Sequence, residues 1–393
     1  MTTAVDRSAL MHTYRDPSVT FVKGSGTRLY DAAGKEYLDF VSGLAVTSLG
    51  HCHPAVADAV ALQARTLEHV SNLYGNTLAP DVASTIDRLI GGGEERVGGQ
   101  VFFSNSGAEA IECAIKLARR YSGGRGANVV SAFGGFHGRT LAALAATGQI
   151  EKHAGFEPMP AGFSHVPYDD VDALVDAVSG PGVIAVLLEP IQGEGGVVVP
   201  SSDYLRAARR ICDESGALMI VDEVQTGFGR TGSWFAFQRL GLVPDVVTMA
   251  KALGNGFPVG ACWAKAEVAA AFGPGDHGST FGGQPLAMAA VRATLDVMER
   301  ENVCERARVT GEYLRRSLLT LPGVKEVRGE GLLLAAVFNN PIAGVVAANA
   351  ESAGVLVNPV RRDTLRLAPP LLVSNDDVDA AVGVIRGVLR SLP

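Results

Sequence analysis

Between Gln100 and Lys251 the chain repeats one unit, a short and almost wholly apolar run followed by a helix-like stretch. The runs are Val101–Phe103, Asn128–Ala132, Val183–Leu188, Leu218–Val221 and Val246–Met249. Ala108–Arg120 reads as a helix with Ile111, Ala114, Ile115 and Ala118 on one stripe, and Ser202–Ser215 reads as another. Strands without polar alternation are buried on both faces, and the intervening helices supply the cover. The spacing therefore predicts an α/β domain around a parallel sheet. In such a sheet the carboxyl ends of the strands share one edge, where these folds bind ligands. Three of the runs lead to a charged residue at that edge: Glu189, Asp222 and Lys251.

The flanks follow other patterns. Thr20–Val22 and Arg28–Tyr30 read as short strands, with Asp31–Lys35 as a turn leading to Tyr37–Phe40. Pro54 opens a helix in which Val56, Val60, Leu62 and Leu67 fall near helical spacing. After Pro285 a helix runs through Met298. The strand-like runs Leu332–Val337, Val355–Val357 and Thr364–Leu367 follow, with a last helix after Asn375 in an α+β pattern.

The net charge of −7, with no run of Lys or Arg long enough to follow a phosphate backbone, argues against nucleic acid as a partner. An acidic surface also repels acidic substrates, so a carboxylate site must be built from particular arginines. The five cysteines are scattered with no CxxC, which reads as reduced thiols in a cytoplasmic protein. Met1–Tyr14 has no apolar signal-like core, and no segment approaches ~20 uninterrupted apolar residues, so no membrane partner is expected. His51-Cys52-His53 offers two possible metal ligands without a third or fourth nearby and reads as a turn closed by Pro54, so no metal site is expected.

Taken alone, Lys251 is either a surface lysine, a salt-bridge partner for Asp222, or a reactive amine. Two neighbouring features favour the last. The turn Ala252-Leu253-Gly254-Asn255-Gly256-Phe257-Pro258 leaves room beside the amine, and Ser104-Asn105-Ser106-Gly107-Ala108-Glu109 links a strand to a helix N-terminus suited to an anion. Adjacent strands lie ~4.8 Å apart, so Asp222 and Lys251 can hold one small flat molecule. An anion cradle, an amine and a carboxylate at one sheet edge match pyridoxal phosphate. Its aldehyde needs the amine, and its ring nitrogen stays protonated beside a carboxylate.

The motifs extend along nearly the whole chain. They include Leu49-Gly50-His51-Cys52-His53-Pro54, Phe102–Ala110, Phe136-His137-Gly138-Arg139-Thr140 and Leu188-Glu189-Pro190-Ile191-Gln192-Gly193-Glu194-Gly195-Gly196. Val221–Gly227, Ala250-Lys251, Gly278-Ser279-Thr280-Phe281-Gly282-Gly283 and Arg366-Leu367-Ala368-Pro369-Pro370 complete the set. In this order they resemble the class III aminotransferases, most closely the branch acting on N2-acetylornithine in arginine biosynthesis.

The resemblance implies a pyridoxal-phosphate-dependent transferase of fold type I, an α/β fold with a mostly parallel central sheet and a smaller α+β domain drawn from both termini. Residues 1–54 would join the small domain and a subunit interface, 55–284 would form the large cofactor-binding domain, and 285–393 the C-terminal small domain. Lys251 would carry the cofactor and move the proton, Asp222 would hold the ring nitrogen, and Gln225 its phenolic oxygen. Ser106, Gly107 and Ala108 would bind phosphate, and Phe136 would stack on the ring. Glu223 and Val224 fall in the same cofactor-binding segment. Thr280, with Ser279, would reach the cofactor of a second subunit, which implies a homodimer.

For substrates the resemblance implies that Arg366 forks the α-carboxylate of glutamate or 2-oxoglutarate, and that Glu194 pairs with Arg366 while the ω-amine donor is bound, then moves aside. Arg139 would take the donor's α-carboxylate. Glu189, followed by Pro190, reads as a structural carboxylate that satisfies loop N–H groups, with binding as a secondary role. His137 stands where ornithine enzymes carry Trp, which favours an acylated donor. Succinylornithine, ornithine and 4-aminobutyrate remain alternative donors. A cofactor-free lyase or aldolase, in which Lys251 attacks a ketone directly, remains the alternative of another class.

Overall fold

A computed structural model describes residues 8–392; residues 1–7 of the polar N-terminal stretch and Pro393 lie outside the described residues. Its centre is a seven-stranded sheet with the spatial order Gln100–Ser104, Gly260–Ala264, Val246–Met249, Leu218–Asp222, Val183–Leu188, Asn128–Ala132, Phe163–Val166. Six of these strands run parallel, while Gly260–Ala264 is antiparallel to both neighbours. The expected strands are all present, and in four of them the side chains are buried almost throughout, Gln100–Ser104 being only partly covered. Gly260–Ala264 and Phe163–Val166 escaped the sequence reading. The first follows directly on the glycine-rich turn after Lys251, where the turn residues mask its start.

Alternation within the strands divides the core into two layers. Met219 and Val221 face one large apolar cluster, whereas Leu218 and Ile220 face a second, which also takes in Ile111, Cys113, Ala114 and Ile115 of the helix Gly107–Tyr121. A buried carboxylate, Asp87 on the helix Leu78–Ile90, fastens that helix to the sheet. It accepts hydrogen bonds from Trp263 Nε1 at 2.9 Å and from the N–H groups of Gly98 and Gly99.

The two ends of the chain meet. Phe21–Ser25, Arg28–Asp31 and Glu36–Asp39 form an antiparallel ribbon, and Val355–Leu356 adds to Glu36–Asp39 in parallel. A four-stranded antiparallel sheet, Val324–Glu330, Leu333–Phe338, Thr364–Leu367 and Asn358–Arg361 in spatial order, is covered by the helices Val303–Leu319 and Ala343–Ser352, on which Asn375–Ser391 packs. The helix opened by Pro54 runs to Thr66 and packs on Pro285–Arg300. Val56 faces inward as its spacing predicts, but Leu62 stays 68% exposed, because only one flank of this helix meets the body of the chain, and Leu67, 43% exposed, lies past the helix end in extended backbone. No helix among the described residues is long and apolar enough to cross a membrane.

Candidate active site

The strands Leu218–Asp222 and Val246–Met249 are adjacent and parallel, with Asp222 level with Thr248. Lys251 leaves the end of the second strand with φ at +43°, a left-handed conformation that strains any residue with a side chain. The strain turns the chain abruptly into the single turn Lys251–Gly254 and sets the amine at the sheet edge. Both residues line a cavity of about 430 Å³, together with Ser106, Gly107, Ala108, Phe136, Arg139, Glu189, Glu194, Val224 and Gln225.

Each wall of the cavity has a local cause. Ser106 caps the helix Gly107–Tyr121, its hydroxyl accepting from the Glu109 N–H, and its carbonyl takes the Ala110 N–H. The N–H groups of Gly107 and Ala108, which lie ahead of the first intrahelical bonds, are left for an anion. Asn105 steadies the turn by donating to Glu109 Oε2 at 2.9 Å and to Ser279 Oγ at 3.2 Å. No side chain fits at Gly107, because a Cβ there would stand 2.9 Å from Val224 Cγ1.

Asp222 is held by two donors. Its Oδ1 accepts the Val224 N–H at 3.0 Å and its Oδ2 faces His137 Nδ1 at 2.8 Å. Burial disfavours the charged imidazole of His137, but the hydrogen bond to Asp222 together with the negative charges of Asp222 and Glu189 outweighs it, so this histidine titrates above its ordinary range. Glu189 is buried alongside and accepts from the Phe136 N–H at 2.8 Å and the Gly193 N–H at 3.3 Å. Burial pushes its carboxyl up to about 7. Burial also holds the Lys251 ammonium below its usual range, with Glu194 opposing the effect and Arg366 adding to it. A lysine that loses its proton more readily is one that can act as a nucleophile or base.

Arg366 stands one layer behind the cavity wall, buried, donating from Nη1 to Glu194 Oε1 at 2.7 Å and to Gln225 Oε1 at 3.1 Å. Burial would raise the Glu194 carboxyl, but Arg366 reverses this and holds it below the ordinary range. Arg139 is exposed at the mouth, its guanidinium carbon 5.7 Å from the centre of the Phe136 ring.

A model of the aminotransferase class III family matches residues 10–389. The chain belongs to the class III aminotransferases.

Among its relatives in that class, an acetylornithine aminotransferase of Caldanaerobacter subterraneus is 47% identical over 98% of both chains. One of Bacillus subtilis is 44% identical over 96% of this chain and 97% of its own. Solved class III structures are similar throughout. The ornithine aminotransferase of Toxoplasma gondii superposes with a TM-score of 0.91 at 34% identity, covering 98% of this chain and 93% of its own. The acetylornithine aminotransferase of Elizabethkingia anophelis does so with a TM-score of 0.86 at 32% identity, covering 98% and 97%.

Pyridoxal phosphate is the cofactor of class III aminotransferases. The cavity fits it: an anion cradle at Ser106–Ala108, an amine at Lys251, a carboxylate at Asp222 and an aromatic side chain at Phe136 all line one space. Of the site residues expected from sequence, four lie off that wall. Glu223 turns away from it, its carboxylate accepting from Thr226 Oγ1 and the Phe237 N–H, so its side chain does not reach the cavity. Arg366 reaches the wall only through Glu194 and Gln225. Ser279 is tied to Asn105, and Thr280 is exposed outside its own cavity. The partnership of His137 with Asp222 and the part played by Asn105 were not legible in advance. The first joins positions 85 apart, which no local pattern connects.

Proposed function

We propose that the protein catalyses the reversible transfer of the δ-amino group of N2-acetylornithine to 2-oxoglutarate, giving N-acetylglutamate 5-semialdehyde and glutamate, a step of arginine biosynthesis. The observation that carries this reading is the ion pair between buried Arg366, behind the cavity that Lys251 opens onto, and half-buried Glu194 on its wall. One cavity must accept a donor with an uncharged acyl end and an acceptor with two carboxylates. A buried arginine masked by a movable carboxylate can serve both. Glu194 neutralises Arg366 when the donor enters, and an acidic substrate takes the place of Glu194 on the guanidinium fork. Arg139, exposed at the mouth, takes the donor's α-carboxylate and so directs the distant amine inward.

The cofactor, when bound, supplies an aldehyde that takes up the amino group and a ring that spreads the negative charge left on the reacting carbon. Ser106, Gly107 and Ala108 would bind its phosphate, Phe136 and Val224 would hold its ring, Gln225 would hydrogen-bond its phenolic oxygen, and Asp222, braced by His137, would keep the proton on its ring nitrogen. Lys251 Nζ would take the proton from the substrate carbon that bears the amine and deliver it to the carbon of the cofactor's former aldehyde. The walls at Val224, Phe136 and Phe257 exclude water from that exchange.

The domain division at residues 54 and 284 belongs to the same reading, as does a homodimer. The loops around Asn72 and Ser279–Gly283 are knitted together by Asn72 Nδ2, which donates to the carbonyls of Ser279 and Gly282. Together they present Leu73, Tyr74 and Phe281 to solvent at 86%, 74% and 65% exposure. A second copy would cover these side chains, and exposed Thr280 on the same surface would then face the partner's phosphate.

Separate half-reaction rates with four amino donors test the assignment. N2-acetylornithine is expected to exceed ornithine and 4-aminobutyrate in kcat/KM by at least about tenfold, with N2-succinylornithine compared in parallel. A preference for 4-aminobutyrate would refute it.

A further inference from the structure

Arg366 has a third partner that the two-substrate reading does not use. On the antiparallel sheet, Asn358 lies directly across from Arg366 on the neighbouring strand. Its Oδ1 accepts from Arg366 Nη2 at 3.0 Å, on the edge of the guanidinium away from Glu194. On the other side Arg366 is level with Ala335, whose small side chain leaves room for the fork. The fork is therefore held by one charged acceptor, Glu194, and by two neutral ones, Gln225 and Asn358.

The difference in charge matters because only Glu194 leaves during the proposed cycle. When it moves aside, a buried cation must keep its orientation without losing its charge, since that charge is what attracts the incoming carboxylate. Neutral carbonyl oxygens do this: they fix the plane of the guanidinium without neutralising it. A carboxylate at position 358 would satisfy Nη2 equally well but would compete with the substrate.

We propose that Asn358 is a positioning residue that holds Arg366 for the acidic substrate, and that its neutrality sets the affinity for 2-oxoglutarate and glutamate without governing the donor. This inference rests on the role assigned above to Arg366.

The test uses holoenzyme carrying Asn358→Asp, which keeps the shape and the acceptor oxygen while adding a negative charge, and Asn358→Ala, which removes the acceptor. Both half-reactions are followed by rapid mixing, and binding of glutarate, a five-carbon dicarboxylate with no carbonyl to react, is measured by calorimetry. Asn358→Asp is expected to raise KM for 2-oxoglutarate and Kd for glutarate by about tenfold or more, as expected when a buried charge is offset. The donor half-reaction should shift much less, and Asn358→Ala should fall between the parent and the aspartate variant. Arg366→Ala separates the two claims. If it loses glutarate while Asn358→Asp binds it as the parent does, the role of Asn358 is overturned and that of Arg366 stands. If Arg366→Ala itself binds glutarate as tightly as the parent, both fall. Equal losses in the two half-reactions of Asn358→Asp would mark a structural role only and would also overturn the proposal.

Discussion

Asp222 and His137 set the electrostatics of the site one residue at a time. Asp222→Asn leaves a hydrogen-bonding side chain of the same shape without the charge that keeps a ring nitrogen protonated. Turnover should fall on the order of a hundredfold or more, as when a preorganised charge is removed from other active sites, while the far-ultraviolet spectrum and melting temperature stay near the parent's. Full turnover in this variant would remove Asp222 from the mechanism. His137 offers a pH test with a definite sign. Its imidazole titrates above the ordinary histidine range because of Asp222. The folded protein thus holds a proton that the unfolded chain has already released. The stabilisation is complete below pH ~6.5 and is lost as pH rises through the raised value. His137→Asn keeps a donor near the place of Nδ1 but cannot titrate. Denaturation followed across neutral and mildly alkaline pH should show that decline in the parent and not in the variant.

The turn into the helix Gly107–Tyr121 and the loop around Gly193 make the corresponding tests at the scale of elements. Ser106→Ala removes the cap that takes the Glu109 N–H and should cost about 1 kcal/mol of stability. It should also weaken binding of pyridoxal phosphate more than that of unphosphorylated pyridoxal, a contrast that equilibrium titration reads directly. Gly193 is required for a steric reason: a Cβ there would stand 1.6 Å from Gln225 Oε1. Gly193→Ala must therefore displace Gln225 and loosen Arg366, raising KM for 2-oxoglutarate well beyond any change for the donor.

These elements also mark how far the sequence could be read. The strands carrying Glu189, Asp222 and Lys251 were legible because each is a continuous apolar run bounded by a charge and a turn. Gly260–Ala264 was not, because a central strand that begins in a glycine and holds Cys262 and Trp263 has no sharp border with the turn before it. Leu62 keeps helical spacing yet faces solvent in the single chain, since periodicity shows a face and not what covers it, and Leu67 falls past the helix end in extended backbone. Glu223 was expected at the site because it follows Asp222 directly, but two successive residues leaving a strand point to opposite sides, and its carboxylate turns to Thr226 and Phe237.

Across the whole molecule, Arg230 holds the parts together. It is fully buried with no carboxylate partner among the described residues, and its guanidinium donates to the carbonyls of Leu332 and Pro369 and to Ser48 Oγ, joining the central body, the C-terminal sheet and the N-terminal segment. Burial alone lowers its pKa to about 9. Arg230→Leu strands two buried carbonyls and should destabilise the protein by roughly 3 kcal/mol or more, seen as a lower denaturation midpoint, whereas an unchanged midpoint would show the three segments to be joined by other contacts. Amine and acid, delivered by neighbouring strands, open onto one cavity and are proposed to serve one transamination centre. The most direct measurement is transfer of 15N from δ-labelled N2-acetylornithine to 2-oxoglutarate, followed by NMR for the parent and for Lys251→Ala. Labelled glutamate should accumulate with the parent and not with the variant; equal labelling by both, or none by the cofactor-loaded parent, would contradict the account.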